Sequence, residues 1–150
     1  MSDNWLILIP TPPEYVPSKD ARERAIALFR RIAPDGHEIE VELSKRPRLI
    51  GRGTNLERII CPSCQRELAI DWWSDWMSQE EELGCPLNPA ALPCCGSVHS
   101  LADLVYDWPQ GFSRFSIGAM NPNIQDLPRT VQREFEAIMG CSVQKIWRHL

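Results

Sequence analysis

Apolar residues near the start of the chain follow the periods of a strand and a helix. Residues 5–9 form a short apolar run that ends at Pro10, which predicts a buried strand. Residues 19–33 carry apolar side chains at i, i+4, i+7, i+8 and i+11, the spacing of one helical face. Ser18 precedes them and is a favoured N-cap residue. The first third of the chain therefore predicts a strand followed by a capped helix.

The next segment alternates between apolar residues and glutamate. Residues 38–43 place glutamate at every second position, which is the period of a half-buried strand. We expect its apolar face to consist of Ile39, Val41 and Leu43. Pro47 and the Gly51-Arg52-Gly53 turn then predict a loop.

The end of the chain repeats the order strand, helix, strand. Residues 112–119 are strand-like, residues 128–139 carry a helical apolar face, and residues 142–150 are strand-like again. Asp126 is the expected cap of this helix, and Gly140 is expected to end it. The apolar face consists of Val131, Phe135, Ile138 and Met139.

Two strand-helix-strand units bury their apolar stripes most simply by sharing one sheet. The sequence therefore predicts an α+β fold of the ferredoxin-like, split βαβ type, in which two helices cover one face of a four-stranded antiparallel sheet. We treat residues 1–150 as a single domain. Residues 44–108 would form a zinc-ribbon-like, Trp-rich insert within it.

The middle of the chain differs in composition from its flanks. Residues 44–108 hold five of the six cysteines and four of the six tryptophans. The chain starts without a basic, apolar leader, and its longest early apolar run is too short to cross a membrane, so we expect a cytoplasmic protein that does not bind membranes. In a reducing compartment, cysteines of this number point to metal binding or burial rather than to disulfides.

Four of these cysteines have the spacing of a metal site. Cys61-Pro62-Ser63-Cys64 is a C-x-x-C motif, and Pro93-Cys94-Cys95-Gly96 follows thirty residues later. Tight turns of this kind aim thiolates at one ion, and four thiolates complete a closed tetrahedral shell for structural Zn²⁺. The second motif is unusual, because a standard knuckle would place its first sulfur at position 92, which is leucine. We predict that Cys61, Cys64, Cys94 and Cys95 hold the zinc.

Two other interpretations of the cysteines remain open. Cys61 and Cys64 resemble the redox pair of a thioredoxin-like protein, although that motif would sit at a helix start and would not need the second pair. Alternatively, the cysteines are small buried apolar residues. Cys85 and His99 are reserve ligands if only one of the adjacent cysteines binds.

A helical segment between the two motifs combines tryptophan with acidic residues. Trp72 and Trp76 are neighbours at i, i+4 on a helix. Such rings either pack over the zinc turns or anchor a binding surface, where tryptophan is enriched. The surrounding carboxylates are either an ordinary solvated face or a surface for a basic partner. The candidate partner-binding residues are Trp72, Asp75, Trp76, Glu80, Glu81 and Glu82.

A basic stretch upstream has the opposite character. Lys45, Arg46, Arg48 and Arg52 could contact phosphate, as in a nucleic-acid-binding zinc ribbon. The net charge of -4 makes this the weaker alternative. None of the histidines His37, His99 and His149 lies in a recognisable catalytic motif, so we expect neither an enzyme nor a small-molecule substrate.

Two resemblances extend this interpretation. The motifs Cys61-Pro62-Ser63-Cys64 and Pro93-Cys94-Cys95-Gly96, the segment 106–115 and the closing residues 146–150 resemble a group of small bacterial zinc-ribbon-containing proteins without an assigned activity. In general character the chain is also similar to immunity proteins that neutralise bacterial toxins, including toxins of type VI secretion. This second resemblance implies a protein that occludes the active site of a cognate toxin, such as a nuclease.

Overall fold

The computed structural model describes residues 3–36, 38–51 and 57–149. Within these ranges the chain forms three α-helices, nine strands and a 3₁₀ turn at Leu101–Asp103. In chain order the helices and strands are β1 Asn4–Pro10, α1 Lys19–Ile32, β2 Glu38–Ile50, β3 Arg58–Ile60, β4 Glu67–Leu68, α2 Ile70–Glu82, β5 Ala90–Ala91, β6 Val98–His99, β7 Val105–Asp107, β8 Gly111–Met120, α3 Arg129–Met139 and β9 Val143–His149.

The largest sheet is built from strands at both ends of the chain. Its order is β2-β8-β1-β9, and each neighbouring pair is antiparallel. Helices α1 and α3 pack on each other beside it, which confirms the α+β class. The strand and helix periods of the two flanks are also confirmed, since every element that they predicted is present.

The main core lies between this sheet and the two helices. Alternation along β1 places Leu6 and Leu8 in this core, while Ile7 and Ile9 pack with Ile146 in a separate cluster. The helices contribute Phe29 and Phe135, whose ring centroids lie 4.9 Å apart at the centre of the cluster. Both rings are fully buried, so this contact is where α1, α3 and the sheet meet.

The predicted cap residues of α1 and α3 are confirmed at two positions and wrong at one. The Ser18 hydroxyl accepts the Ala21 N–H at 3.1 Å, and Gly140 ends α3 with φ of 78°. The prediction that Asp126 caps α3 is wrong, because Pro128 occupies the cap position. Asp126 instead accepts hydrogen bonds from Lys145 at 2.7 Å and from the Trp147 indole at 3.2 Å. It therefore connects the loop before α3 to β9.

Strand β2 differs from its prediction in length and in burial. It continues to Ile50 instead of ending in a loop, and its pairing with β8 shifts register between Leu43 and Arg48. Because β2 is at the edge of the sheet, only Ile39 of its apolar face packs into the main core, whereas Val41 and Leu43 are 37% and 52% exposed. An alternating pattern gives the faces of a strand but not whether a neighbouring element covers them.

The segment between β2 and β8 has its own core. Strands β4, β3 and β7 form a small antiparallel sheet in that order, and β5 pairs with β6. Helix α2 covers this region with one face, formed by Trp73, Trp76, Met77 and Glu80. The Trp73 indole donates to the Tyr106 hydroxyl at 3.0 Å, and that hydroxyl donates to the Leu101 carbonyl at 2.6 Å. Burial raises the pKa of Tyr106 well above its ordinary value, so the hydroxyl keeps the proton that it donates.

The two cores are joined through the ends of β2 and β8. Leu49 and Phe112 belong to these strands of the large sheet, and both pack into the second core. Among the described residues, no helix is both long and apolar enough to cross a membrane.

Candidate metal centre

Two short hairpins bring the cysteines together. The first runs from β3 to β4 and carries Cys61 and Cys64. Its turn is closed by hydrogen bonds from the Cys61 N–H to the Arg66 carbonyl and from the Gln65 N–H to the Cys61 carbonyl, both 2.9 Å long. Gln65 has a positive φ of 62°, which is the conformation that such a turn needs.

The second hairpin, from β5 to β6, repeats this backbone with a different distribution of cysteines. The Leu92 N–H donates to the Ser97 carbonyl and the Gly96 N–H donates to the Leu92 carbonyl, again at 2.9 Å. Leu92 is therefore the positional counterpart of Cys61, and Cys95 is the counterpart of Cys64. Leu92 is buried in the second core, and Cys94 supplies the sulfur that position 92 lacks.

The four sulfurs form one cluster. The Sγ atoms of Cys61, Cys64, Cys94 and Cys95 all lie within 4.8 Å of one another. Three of the separations are 3.4 Å for Cys64 to Cys94, 3.8 Å for Cys61 to Cys95 and 3.9 Å for Cys94 to Cys95. A tetrahedral zinc ion with Zn–S bonds of about 2.3 Å places its sulfurs about 3.8 Å apart. The cluster therefore has the size and the donor chemistry of a four-thiolate metal site.

Backbone and hydroxyl donors stabilise negative charge on two of these sulfurs. The N–H groups of Cys64 and Ser63 point at the Cys61 Sγ from 3.4 Å and lower the pKa of Cys61 to about 6. The Ser97 hydroxyl lies 3.0 Å from the Cys95 Sγ and lowers the pKa of Cys95. Burial, with the neighbouring sulfurs, raises the pKa of Cys94 to about 12. A cation in the cluster would compensate for ionising Cys94.

Comparison of the chain with protein-family models, with curated proteins and with solved structures gives no match.

The reserve ligands lie outside the four-sulfur cluster. Cys85 is buried in the second core, and burial raises the pKa of its thiol. His99 is bonded through Nε2 to the Ser63 hydroxyl at 2.7 Å, so it connects the second hairpin to the first. The Cys61–Cys64 motif lies in a hairpin turn rather than at the start of a helix, which is not the placement of a thioredoxin-like redox pair. His37 and the side chain of His149 fall outside the described residues.

We expect acid to weaken the metal centre in two ways. It destabilises the metal-free fold, and it adds a proton that competes with the metal for Cys61. A thiol with a folded pKa of about 6 and an unfolded pKa of about 8.5 stabilises the metal-free fold fully above pH 8.5. That contribution is lost as the pH falls through 6. Below pH 6 a proton also competes with the metal for Cys61, so the apparent Zn²⁺ affinity should fall more steeply with pH than it does between pH 6 and 7. Competition with a chelator from pH 5 to 8 measures this, and a constant slope would contradict it.

The candidate partner-binding residues on α2 separate into buried and exposed groups. Trp76 and Glu80 are buried, at 9% and 3% exposure, which removes them from the surface that the sequence suggested. Trp72 is half-buried and packs on Trp76 with ring centroids 5.3 Å apart. Periodicity explains the division, because Trp73, Trp76, Met77 and Glu80 share one helical face. The exposed members of the predicted set are Asp75, Glu81 and Glu82.

Glu80 has an internal role in place of a surface role. Its carboxylate accepts the Leu87 N–H at 2.8 Å. The segment that it holds has three residues with positive φ, namely Gly84, Cys85 and Leu87. Left-handed backbone is unfavourable for Cys and Leu, so the bond compensates for local strain.

Glu80→Ala is expected to lower the free energy of unfolding by about 2 kcal/mol, because it leaves the partly buried Leu87 N–H without its acceptor. Glu80→Gln keeps an acceptor oxygen and should lose less. The exposed neighbour Glu81→Ala should change the stability by less than about 0.5 kcal/mol. Urea denaturation with zinc present compares the three, and equal losses for Glu80→Ala and Glu81→Ala would refute the assigned role.

Glu57 and Ile70 are surface residues near α2 that the sequence did not identify. Glu57, Glu67 and Asp71 surround the exposed Ile70 in a shallow depression of about 490 Å³ at the start of α2. Glu67, Ile70 and Asp71 lie within five positions of the chain, but Glu57 comes from the approach to β3, so no local pattern connects it to them. The offset between the two hairpins was a usable signal, because aligning residues 61–68 with residues 92–99 places Cys95 on Cys64 and Leu92 on Cys61.

Proposed function

We propose that this protein is a non-enzymatic protein-binding module that contains a structural zinc ion. Its acidic α2 surface, formed by Asp71, Asp75, Glu81 and Glu82, docks on a basic partner. The observation that carries the proposal is the clustering of four cysteine sulfurs in the core covered by α2, a helix that turns its apolar face and Glu80 inward and its other carboxylates outward. Zinc is the metal that best suits four thiolates without an open coordination position. A closed shell of this kind stabilises structure and does not activate substrate.

The architecture supports two finer assignments. The strand order β2-β8-β1-β9, with antiparallel neighbours and both flanking helices packed on one core, fits a ferredoxin-like body. Paired hairpins that each present a cysteine turn fit a zinc-ribbon-like segment between β2 and β8. In this proposal the chain is one domain, and residues 44–108 are its zinc-binding insert. The free thiols of the six cysteines suit a reducing cytoplasm.

The acidic α2 surface consists of Asp71, Asp75, Glu81 and Glu82. Asp71, Asp75 and Glu82 lie along one stripe, opposite the buried face of the helix. Among the described residues, none of these carboxylates forms an ion pair. The adjoining depression adds Glu57 and Glu67 around Ile70. A lysine or arginine side chain suits this depression, because its aliphatic stem would contact Ile70 while its charged end meets carboxylates.

The most specific form of the proposal is an immunity protein. A nuclease toxin has a basic cleft for nucleic acid, and an acidic surface that occupies the cleft would exclude the substrate. Rigid attachment of α2 to the zinc hairpins through Trp73, Trp76 and Met77 would present this surface preformed. The acidic composition and the resemblance to immunity proteins of type VI secretion systems agree with this form.

The nucleic-acid alternative is weaker because part of its basic stretch is engaged within the chain. Arg48 forms an ion pair with Glu42 at 2.7 Å. Arg46 packs its guanidinium against Gly84, where an added Cβ would collide with it. Lys45 is exposed, and Arg52 lies outside the described residues. A filter-binding titration against salt tests this alternative, since phosphate contact requires a steep loss of affinity as salt rises.

Charge reversal on α2 tests the proposed surface. A pull-down from the native host with mass spectrometry identifies the stoichiometric protein partner. The variant Asp71→Lys/Asp75→Lys/Glu82→Lys is then expected to bind that partner at least about 10-fold more weakly and with a reduced dependence on salt. Its zinc content should stay unchanged, because these side chains point away from the core.

A matched control makes the same change in net charge elsewhere. The control variant is Glu23→Lys/Glu38→Lys/Glu40→Lys. Its three residues are exposed and lie on α1 and β2, so this variant should keep the affinity of the wild type for the partner. Equal losses in the two variants would show that net charge acts instead of the α2 surface. Recovery of RNA or DNA with no stoichiometric protein would defeat the proposal itself.

A further inference from the structure

The four sulfurs of the metal centre differ in their access to solvent. Cys61 is fully buried, Cys64 and Cys94 are half-buried, and Cys95 is exposed at the rim of the second hairpin. Cys95 lies 3.8 Å from the Cys61 sulfur and 3.9 Å from the Cys94 sulfur. A reagent in solution therefore meets one thiolate of the cluster first, with two further sulfurs beside it.

We propose that Cys95 is an oxidation site for peroxides, and that its oxidised form closes a disulfide with Cys61 which disassembles the metal centre. This inference rests on the metal site of the proposed function. It adds a modification site and a redox-dependent regulation of the acidic α2 surface.

The chemistry takes two steps and needs one peroxide molecule. A lone pair of the Cys95 thiolate attacks a peroxide oxygen, the O–O bond breaks, and hydroxide (or alkoxide, from an alkyl hydroperoxide) leaves, which gives a sulfenic acid. The Cys61 thiolate then attacks the Cys95 sulfur, the S–S bond forms, the S–O bond breaks, and hydroxide leaves. Two thiolates lose two electrons in total, and the peroxide gains them.

Cys61 is favoured over Cys94 as the resolving thiol for a geometric reason. A Cys94–Cys95 disulfide would close a ring through a single peptide unit, whereas a Cys61–Cys95 disulfide joins two separate hairpins. Sulfurs 3.8 Å apart must approach to about 2.05 Å to form the disulfide.

The consequence follows from the loss of two donors. After the disulfide forms, only Cys64 and Cys94 remain as thiolates, and two ligands do not hold zinc in a closed shell. The hairpins beneath α2 then lose the ion that connects them, so the acidic surface is no longer held in place. Thiol reductants restore all four thiolates, which makes the change reversible.

The experiment uses the full-length, zinc-loaded protein and hydrogen peroxide. A colorimetric chelator follows zinc release, and peptide mapping under non-reducing conditions locates the disulfide. We expect about one zinc released per peroxide consumed, a Cys61–Cys95 disulfide, and dimedone labelling that appears first at Cys95. Alkylation of the zinc-loaded protein should be at least roughly 10-fold faster at Cys95 than at Cys61, as exposure predicts. Dithiothreitol with added zinc should reverse the oxidation.

Control variants leave the cluster intact. Cys85→Ala and Cys141→Ser remove thiols outside the cluster, so they should release zinc at the rate of the wild type. Retention of zinc at a tenfold excess of peroxide, or a first oxidation at Cys64 or Cys94, would overturn the inference. A protein that contains no zinc before any peroxide is added would instead refute the metal site on which the proposed function depends.

Discussion

Replacing Cys61 with serine is expected to unfold the second core while the main sheet keeps its structure. Cys61 is the buried member of the cluster and accepts two backbone N–H groups, so serine cannot provide an equivalent thiolate. A structural zinc site contributes about 10–16 kcal/mol of apparent binding energy at neutral pH. That is comparable with the whole stability of a domain, so the region that depends on the metal should not survive its loss.

Three measurements check this result. Elemental analysis should find one zinc in the wild type and essentially none in Cys61→Ser. Hydrogen exchange should show loss of protection in β3 and β7, and retained protection in β1 and β8. The near-ultraviolet circular dichroism of the buried Trp73 and Trp76 should collapse. Cys141→Ser is the matched control, because this cysteine packs beside the main core and should leave zinc content unchanged.

Two outcomes would contradict the expectation. One is a Cys61→Ser protein with normal zinc content, which would mean that Cys61 is not a ligand. The other is a metal-free protein with native exchange protection in β3 and β7. In that case the apolar contacts of the second core, including Ile59, Leu92 and Leu101, would hold the segment without a metal.

Phe135→Ala should be the most damaging single change in the main core. The ring is fully buried and packs on Phe29, at the place where both helices meet the sheet. Removal of a buried phenylalanine ring costs about 3–5 kcal/mol, because burial is lost and a cavity remains. For a chain of this size the expected fall in Tm is roughly 10 °C.

Calorimetry with zinc in excess measures this loss separately from the metal. Phe135→Leu retains most of the apolar volume and should lose less than half as much stability. Arg133→Ala, on the exposed side of α3, should stay within about 0.5 kcal/mol of the wild type. A loss below about 1 kcal/mol for Phe135→Ala would show that α3 contributes little to the main core.

Local patterns were sufficient for the flanks of the chain and for the cysteine pairs. Period placed both α1 and α3, Ser18 marked the start of α1 and Gly140 marked the end of α3, since these features act within a few residues of the helix. The C-x-x-C spacing likewise identified Cys61 and Cys64, because a turn that aims two sulfurs at one point is a local property. The adjacent cysteines Cys94 and Cys95 were identified as their complement, and all four sulfurs meet within one cluster.

Predictions that depended on the neighbours of a residue were less accurate. Val41 and Leu43 alternate correctly but are exposed, since β2 is at the edge of the sheet. Glu80 was taken for a surface carboxylate, yet it is buried by its place on the helix and bonded to the Leu87 N–H. Aspartate is a residue type that favours helix caps, but Asp126 accepts hydrogen bonds from Lys145 and Trp147 instead. Only folding brings these two side chains near it.

The sequence by itself determined the helices and strands of the two flanks and the two cysteine motifs, because each of these follows from interactions over a few residues. The tertiary structure decided which carboxylates face solvent, which sulfur is accessible, and how Glu57, Glu67 and Ile70 come together beside α2. Exposure and convergence depend on what packs against a side chain from distant parts of the chain, and a local pattern carries no information about that.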